Sequence, residues 1–214
     1  MPKIFIKKLL LTIMILSTVL LAEGTVTKTG CILSQEGAVT VGWKAYKTAA
    51  KLGVSGVFDD VRYTAAQKEG HNFKEILIGS SVSIHTNSVN SKNEGRDKKL
   101  VASFFKLLGA ETISAKITNI SQTSKKRERP KKGIISTNIT MNGISKDIPM
   151  NYTYNKGLMK AEGFIDLFDF QASKALTSIN KACFDLHKGK TWNDVAINFS
   201  LNIKADLCNI TIKK

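Results

Sequence analysis

Acidic residues are scarce in this chain: 17 aspartates and glutamates stand against 32 lysines and arginines, a formal charge of +15. The imbalance points toward anionic partners, such as lipid headgroups or phosphate groups on a ligand, unless it serves solubility alone. Histidine is rarer still, with only His71, His85 and His187. A Ser-His-Asp or Cys-His catalytic set needs a positioned histidine. His85 falls inside a strand pattern and His187 in a polar loop near Asp185, so both are expected to be bystanders. Asp166, Asp169 and Asp185 are scattered and form no motif, and no glycine-rich phosphate cradle is present. The expectation is a protein that is not an enzyme and carries no metal or cofactor. Cysteines number three, Cys31, Cys183 and Cys208, at spacings that fit no zinc motif; an odd count leaves one thiol free or pairs it between chains. Aromatics make up only 7% of the residues, and the chain ends Ile212-Lys213-Lys214. Both features argue against an outer-membrane barrel with aromatic girdles.

One long apolar run is present, and it opens the chain. Lys3, Lys7 and Lys8 precede a stretch over Leu9–Leu21 broken only by Thr12, Ser17 and Thr18, and Ala22 leads into the polar Glu23-Gly24-Thr25. A charged start, a short apolar middle and a small residue at the end make a signal peptide, residues 1–22, although Leu20 is larger than the residue preferred three places before a cut. An uncleaved N-terminal anchor is the alternative reading. Without Met1–Ala22 the chain stays strongly basic and has no further run long enough to span a bilayer. Residues 23–214 are therefore expected to form one soluble, exported domain. An exported protein rarely meets nucleic acid, so none is expected as a partner.

Period-two alternation dominates the remainder of the chain. Val195, Ile197, Phe199, Leu201, Ile203, Ala205 and Leu207 share one face of a long final strand, opposite a mostly polar face. Val39, Val41 and Trp43 alternate with Thr40, Gly42 and Lys44. Ile76, Ile78, Val82 and Ile84 share a face with Ser80. Ile113, Ala115 and Ile117, then Ile135, Thr137, Ile139 and Met141, then Ile148, Met150, Tyr152 and Tyr154, repeat the pattern. Leu52–Asp59 and Leu158–Phe168 are also extended, the latter with no clear inward face. Asn142-Gly143 and Asn155-Lys156-Gly157 supply hairpin turns, and Lys125–Lys132 forms a charged tip between strands. Two segments change to helical period. Leu100, Phe104, Leu107 and Leu108 follow Asp97 as N-cap and stop at Gly109; Ala172, Ala175, Leu176, Ile179 and Cys183 follow Asp169. The expected fold is all-β: an extended antiparallel eight-stranded barrel with one or two short helices, whose closure leaves no exposed edge.

Three groups of words stand out: Trp43-Lys44-Ala45-Tyr46-Lys47 with Val54-Ser55-Gly56-Val57-Phe58; Ser83-Ile84-His85-Thr86-Asn87-Ser88-Val89 with Arg96-Asp97-Lys98-Lys99-Leu100 and Phe104-Phe105; and the tail Ala182–Val195. Together they resemble the YceI-like, polyisoprenoid-binding family. The resemblance spans roughly residues 37–205. It implies a lipocalin-like barrel in the periplasm, with an elongated apolar pocket for a long isoprenoid or similar amphiphilic lipid. One departure stands out: the family usually has His where this chain has Lys99, which bears on head-group selectivity if that position touches the ligand.

The apolar strand faces place Trp43, Ile84, Ile139, Val195, Ile197, Phe199 and Leu201 in the barrel interior. Phe58 comes with its family word, and Phe104 and Phe105 are expected against one end. These ten are the candidate ligand-binding residues. Without a ligand the same residues would simply be core. The Arg96-Asp97 pair is expected to cap the helix and tie its loop to the barrel; a gate at the pocket is the alternative. Two rival functions stand beside lipid binding: a ligand-free interaction module that docks membrane or protein through a basic face, and, more weakly, an enzyme on lipid-linked substrates. In an up-and-down barrel the first and last strands are antiparallel neighbours, which brings Cys31 beside Cys208. A Cys31–Cys208 disulfide is expected, with Cys183 free beneath its helix; Cys183–Cys208 is the alternative pairing.

Overall fold

The structure, a computed structural model, describes residues 25–213 except Ala110 and Lys126, with side chains over 30–207. The expected signal peptide lies outside the described residues, as does Lys126 of the basic tip. The described residues divide into two units, Gly30–Cys208 and a small one that includes Thr25–Thr29 and Asn209–Lys213. The site lies wholly within the first.

Alternation becomes strand wherever it was read in a long run. In chain order the elements are β1 (Thr25–Lys47), β2 (Leu52–Phe58), β3 (Val61–Thr64), β4 (Glu69–Gly70), α1 (Phe73–Leu77), β5 (Ser81–His85), β6 (Val89–Asn90), α2 (Glu94–Ser103), β7 (Thr112–Gln122), β8 (Lys131–Met141), β9 (Ile144–Asn155), β10 (Leu158–Asp166), α3 (Ser173–Ala182), α4 (Phe184–His187) and β11 (Asp194–Lys213). They form one curled, antiparallel sheet in the order β3-β5-β7-β8-β9-β10-β11-β1-β2-β6, with β4 added on β1. Among the described residues, eleven strand segments appear where eight strands were expected, and four short α-helices where one or two were. Part of the difference is a bend: only Asp59 and Asp60 separate β2, paired with β1, from β3, paired with β5.

The inner face of the sheet holds the core, and the exposed residues of β8 and β9 are mostly polar, as one-sided burial requires. Met159, Ala161 and Ile165 settle the inward face of β10, leaving Phe164 and Phe168 outside. In β7 a bulge between Ile117 and Asn119 resets the phase, so that Ile120 also turns inward. Alternation also failed in one place. Ile76 belongs not to a strand but to α1, because the Asn72 side chain caps the helix by accepting from the Glu75 N–H, and Gly79 turns the chain at φ +92° into β5. Ile76 and Leu77 are buried from the helix instead, and the Ser80 hydroxyl donates back to the Ile76 carbonyl.

Of the two expected helices, α3 buries the face that was read, Ala172, Ala175, Leu176, Ile179 and Cys183. Its N-cap position is Ala172 rather than Asp169, with no side-chain cap bond. The other, α2, starts earlier than expected. Asn93, not Asp97, is its N-cap, accepting from the Arg96 N–H, and it ends at Ser103, so Phe104 to Leu108 leave it through a 3₁₀ turn. Leu108 is buried there, but Leu107 is exposed.

The disulfide expectation is corrected. β11 and β1 are neighbours in the sheet, and an antiparallel bridge joins Lys47 to Thr191, so the start of one strand does run beside the end of the other. Yet Cys31 is an exposed, free thiol. Neighbouring strands are not enough for a bridge, which also needs the two Cβ vectors to face each other. The Cys208 side chain lies outside the described residues. Cys183 is free and buried under α3.

Candidate ligand-binding site

The curled sheet does not fill its own interior. A cavity of about 540 Å³ lies between the sheet, α2, α3 and α4, and a second of about 120 Å³ lies deeper, against β5, β7 and β8. Trp43, Phe58, Ile113, Met141, Ile165 and Ile197 border both, so the two chambers meet at a shared apolar collar. No charged residue borders the deeper chamber. The larger volume falls in the range of pockets that enclose a small organic ligand, about 300–1,000 Å³.

All ten candidate residues border this space. Trp43, Phe58 and Ile197 stand in the collar; Phe104, Phe105 and Val195 line the larger chamber; Ile84, Ile139, Phe199 and Leu201 line the deeper one. The strand positions follow from phase alone, since inward residues of a half-buried strand share one parity. Phe104 and Phe105 need more. The Arg96 side chain donates from Nε to the Ser91 Oγ (2.7 Å) and from Nη2 to the Ser91 carbonyl (2.6 Å). Asp97 accepts the Ser91 N–H at 3.0 Å and the Ser91 hydroxyl. The Arg-Asp pair thus ties the first turn of α2 to the loop before it, and the helix then delivers the two phenylalanines. Phe105 meets Phe58 edge-on at 5.8 Å and Phe104 at 5.2 Å.

Sequence reasoning missed the larger chamber's other wall and its opening. Leu176 and Ile179 of α3, and Cys183 just after it, line it from across the sheet. Helical period announced that these face inward, but not that they face a cavity. Lys47, Arg96, Lys99, His187 and Trp192 also border it. His187 is not in a loop, as expected, but on α4. Its Nδ1 lies 2.6 Å from the Thr191 Oγ1, whose own proton goes to Asn180 Oδ1 at 2.8 Å. The Thr191 oxygen must then accept, which fixes the imidazole proton on Nδ1 and leaves Nε2 free. Burial, and then the charges of Lys47 and Lys99, hold the His187 pKa below its ordinary value. Around the opening, the Trp192 indole donates to the Thr48 carbonyl at 2.8 Å, and the Lys51 and Lys190 ammonium groups lie 4.8 and 4.6 Å from its ring centre.

Among the described residues no three His, Cys, Asp or Glu side chains gather as a metal site would require. What the arrangement offers is apolar enclosure bordered by cationic side chains.

No curated protein matches the sequence. Among solved structures, the fold is similar to a polyisoprenoid-binding domain from Saccharophagus degradans implicated in plant cell wall breakdown, with TM-score 0.53 and 12% identity over 84% of this chain and 100% of that one. It is also similar to BcnA from Burkholderia cenocepacia, with TM-score 0.52 and 12% identity over 78% of this chain and 96% of that one. At such identity the likeness is one of fold. The family model for the YceI-like domain matches residues 34–203. The match covers most of the 214 residues, and the chain belongs to the YceI-like domain family.

Proposed function

We propose that this protein is exported to the periplasm and there holds a long-chain isoprenoid or similar amphiphilic lipid, for storage or transport and without catalysis. The observation that carries this reading is the pair of chambers meeting at an apolar collar. A filled core of the same residues would leave no such space. The bend between β2 and β3 joins one end of the sheet order to the strand next to its other end and supports closure of the wall into a barrel. The central strands of that wall are long: the 11 residues of β8, at about 3.3 Å each, extend about 36 Å, so an extended chain has a surface to lie along. Burial of one five-carbon isoprene unit contributes about 4 kcal/mol before ordering costs, so a few units suffice for tight retention.

Export rests on the leader-like first 22 residues. The rival reading, an interaction module that docks through its basic face, has the +15 charge in its favour and the two cavities against it. Extraction and mass spectrometry of lipids from the purified protein separate the two. A stoichiometric long-chain lipid is the expected result; repeated recovery of ligand-free protein that takes up no lipid would overturn the proposal.

A further inference from the structure

The larger chamber is apolar except at one end. There Lys47 of β1, Arg96 and Lys99 of α2, and His187 of α4 all border it, and no aspartate or glutamate does. We propose that this end is the seat of an anionic, phosphate-bearing head group on the lipid. The inference rests on the pocket reading above and adds the class of head.

Two of the charges at this end have no protein partner. Among the described residues, neither Lys47 nor Lys99 makes an ion pair or a side-chain hydrogen bond. Their sequence neighbours do: Lys51 meets Asp194 at 2.7 Å, and Lys98 meets Glu94 at 3.6 Å. Both unpaired ammonium groups also act on one point, since each depresses the His187 pKa from a different element. Like charges drawn together beside an apolar cavity oppose one another, and only water or an incoming anion relieves them. The His187 ring is ready to take part. Its Nδ1 proton is spent on Thr191, so Nε2 is the atom left for an anion, able to donate once protonated. Arg96 contributes charge but is held by Ser91, which makes Lys47, Lys99 and His187 the groups free to close on a head. A phosphate there would form charge-assisted bonds while its chain runs into the collar.

The two tryptophans of the chain, Trp43 and Trp192, both border the larger chamber, so their fluorescence reports occupancy. The full chain, freed of lipid, is titrated with farnesyl diphosphate, farnesol and inorganic pyrophosphate. Farnesyl diphosphate is expected to bind at least about tenfold tighter than farnesol. In the Lys47→Gln/Lys99→Gln variant that ratio should fall toward one, with melting checked separately. Lys160→Gln, on the exposed face of β10, should leave it unchanged. Equal affinity for the alcohol and the diphosphate overturns the head site but spares the pocket. A preference that survives the double substitution also overturns it, as does pyrophosphate alone binding as tightly as farnesyl diphosphate. If neither farnesyl compound binds, the pocket reading falls, and this inference with it.

Discussion

Trp43 occupies the space that a side chain at Gly56 would need. The two are cross-strand partners on β1 and β2, and a Cβ built on Gly56 would lie 2.6 Å from Trp43 Cζ2 and 2.8 Å from the Asn90 carbonyl. The absence of a side chain at one position thus seats the indole that borders both chambers. Gly56→Ala must push the ring toward the collar or shift the β6 backbone. A loss of about 1–3 kcal/mol in stability is expected, together with weaker lipid retention. Denaturant unfolding and lipid content of the variant check this; a variant as stable and as lipid-laden as the parent would show that Trp43 has room elsewhere.

The collar should govern chain length. Ile197 borders both chambers from β11, so Ile197→Trp narrows the passage without adding charge. Ligands with short tails should still enter the larger chamber, while those long enough to need the deeper one should be lost. Mass spectrometry of bound lipids is expected to show a shift to shorter chains. An unaltered length distribution in a folded variant would mean that the ligand does not cross the collar.

Much of this was legible in the sequence because strand phase is a local property. Ile84, Ile139, Phe199 and Leu201 could be placed in the interior from alternation alone, and each borders the deeper chamber. The failures have physical causes of two kinds. Ile76, Ile78 and Ile84 mimic alternation across Ser80, but the Asn72 cap and the turn at Gly79 are stronger local instructions. The cationic opening is a tertiary product. Lys47 and His187 are distant in sequence and come together because β1 pairs beside the start of β11, which no pattern in either segment announces. Cys31 adds that neighbouring strands alone do not make a disulfide, since its thiol is free and exposed.

Tyr152 offers a stability test away from the ligand. Its ring is buried against Phe73 and over Gly133, yet among the described residues its hydroxyl has no hydrogen-bond partner. A buried, unpaired hydroxyl is a cost with no return. Tyr152→Phe keeps the ring and should raise unfolding free energy by about 1 kcal/mol. The neighbouring change should do the reverse: a Cβ at Gly133 would lie 1.9 Å from the Ser121 carbonyl, so Gly133→Ala must displace backbone between β7 and β8. Chemical denaturation of both variants decides the point, and a destabilised Tyr152→Phe would reveal a partner for the hydroxyl.

His187 should make stability depend on acid. Its pKa in the folded protein is held below the ordinary 6.5 by burial and by Lys47 and Lys99. Asp185, on its own helix, is the acid nearest in sequence, and the Thr191 and Asn180 bonds fix its ring. Between the depressed folded value and 6.5, the unfolded chain binds the proton more readily than the folded one. Stability therefore rises with pH through that window and is lost as pH falls below 6.5. In lipid-free protein, melting temperature measured between pH 5 and pH 7.5 should show this slope, and His187→Gln should flatten it. An anion bound beside the ring reverses the sign, because it favours the imidazolium. The stabilisation given by farnesyl diphosphate should then grow as pH falls, while that given by farnesol should not. A farnesyl diphosphate effect that is flat across this range, in a protein whose ligand-free slope depends on His187, would place the bound phosphate away from the imidazole.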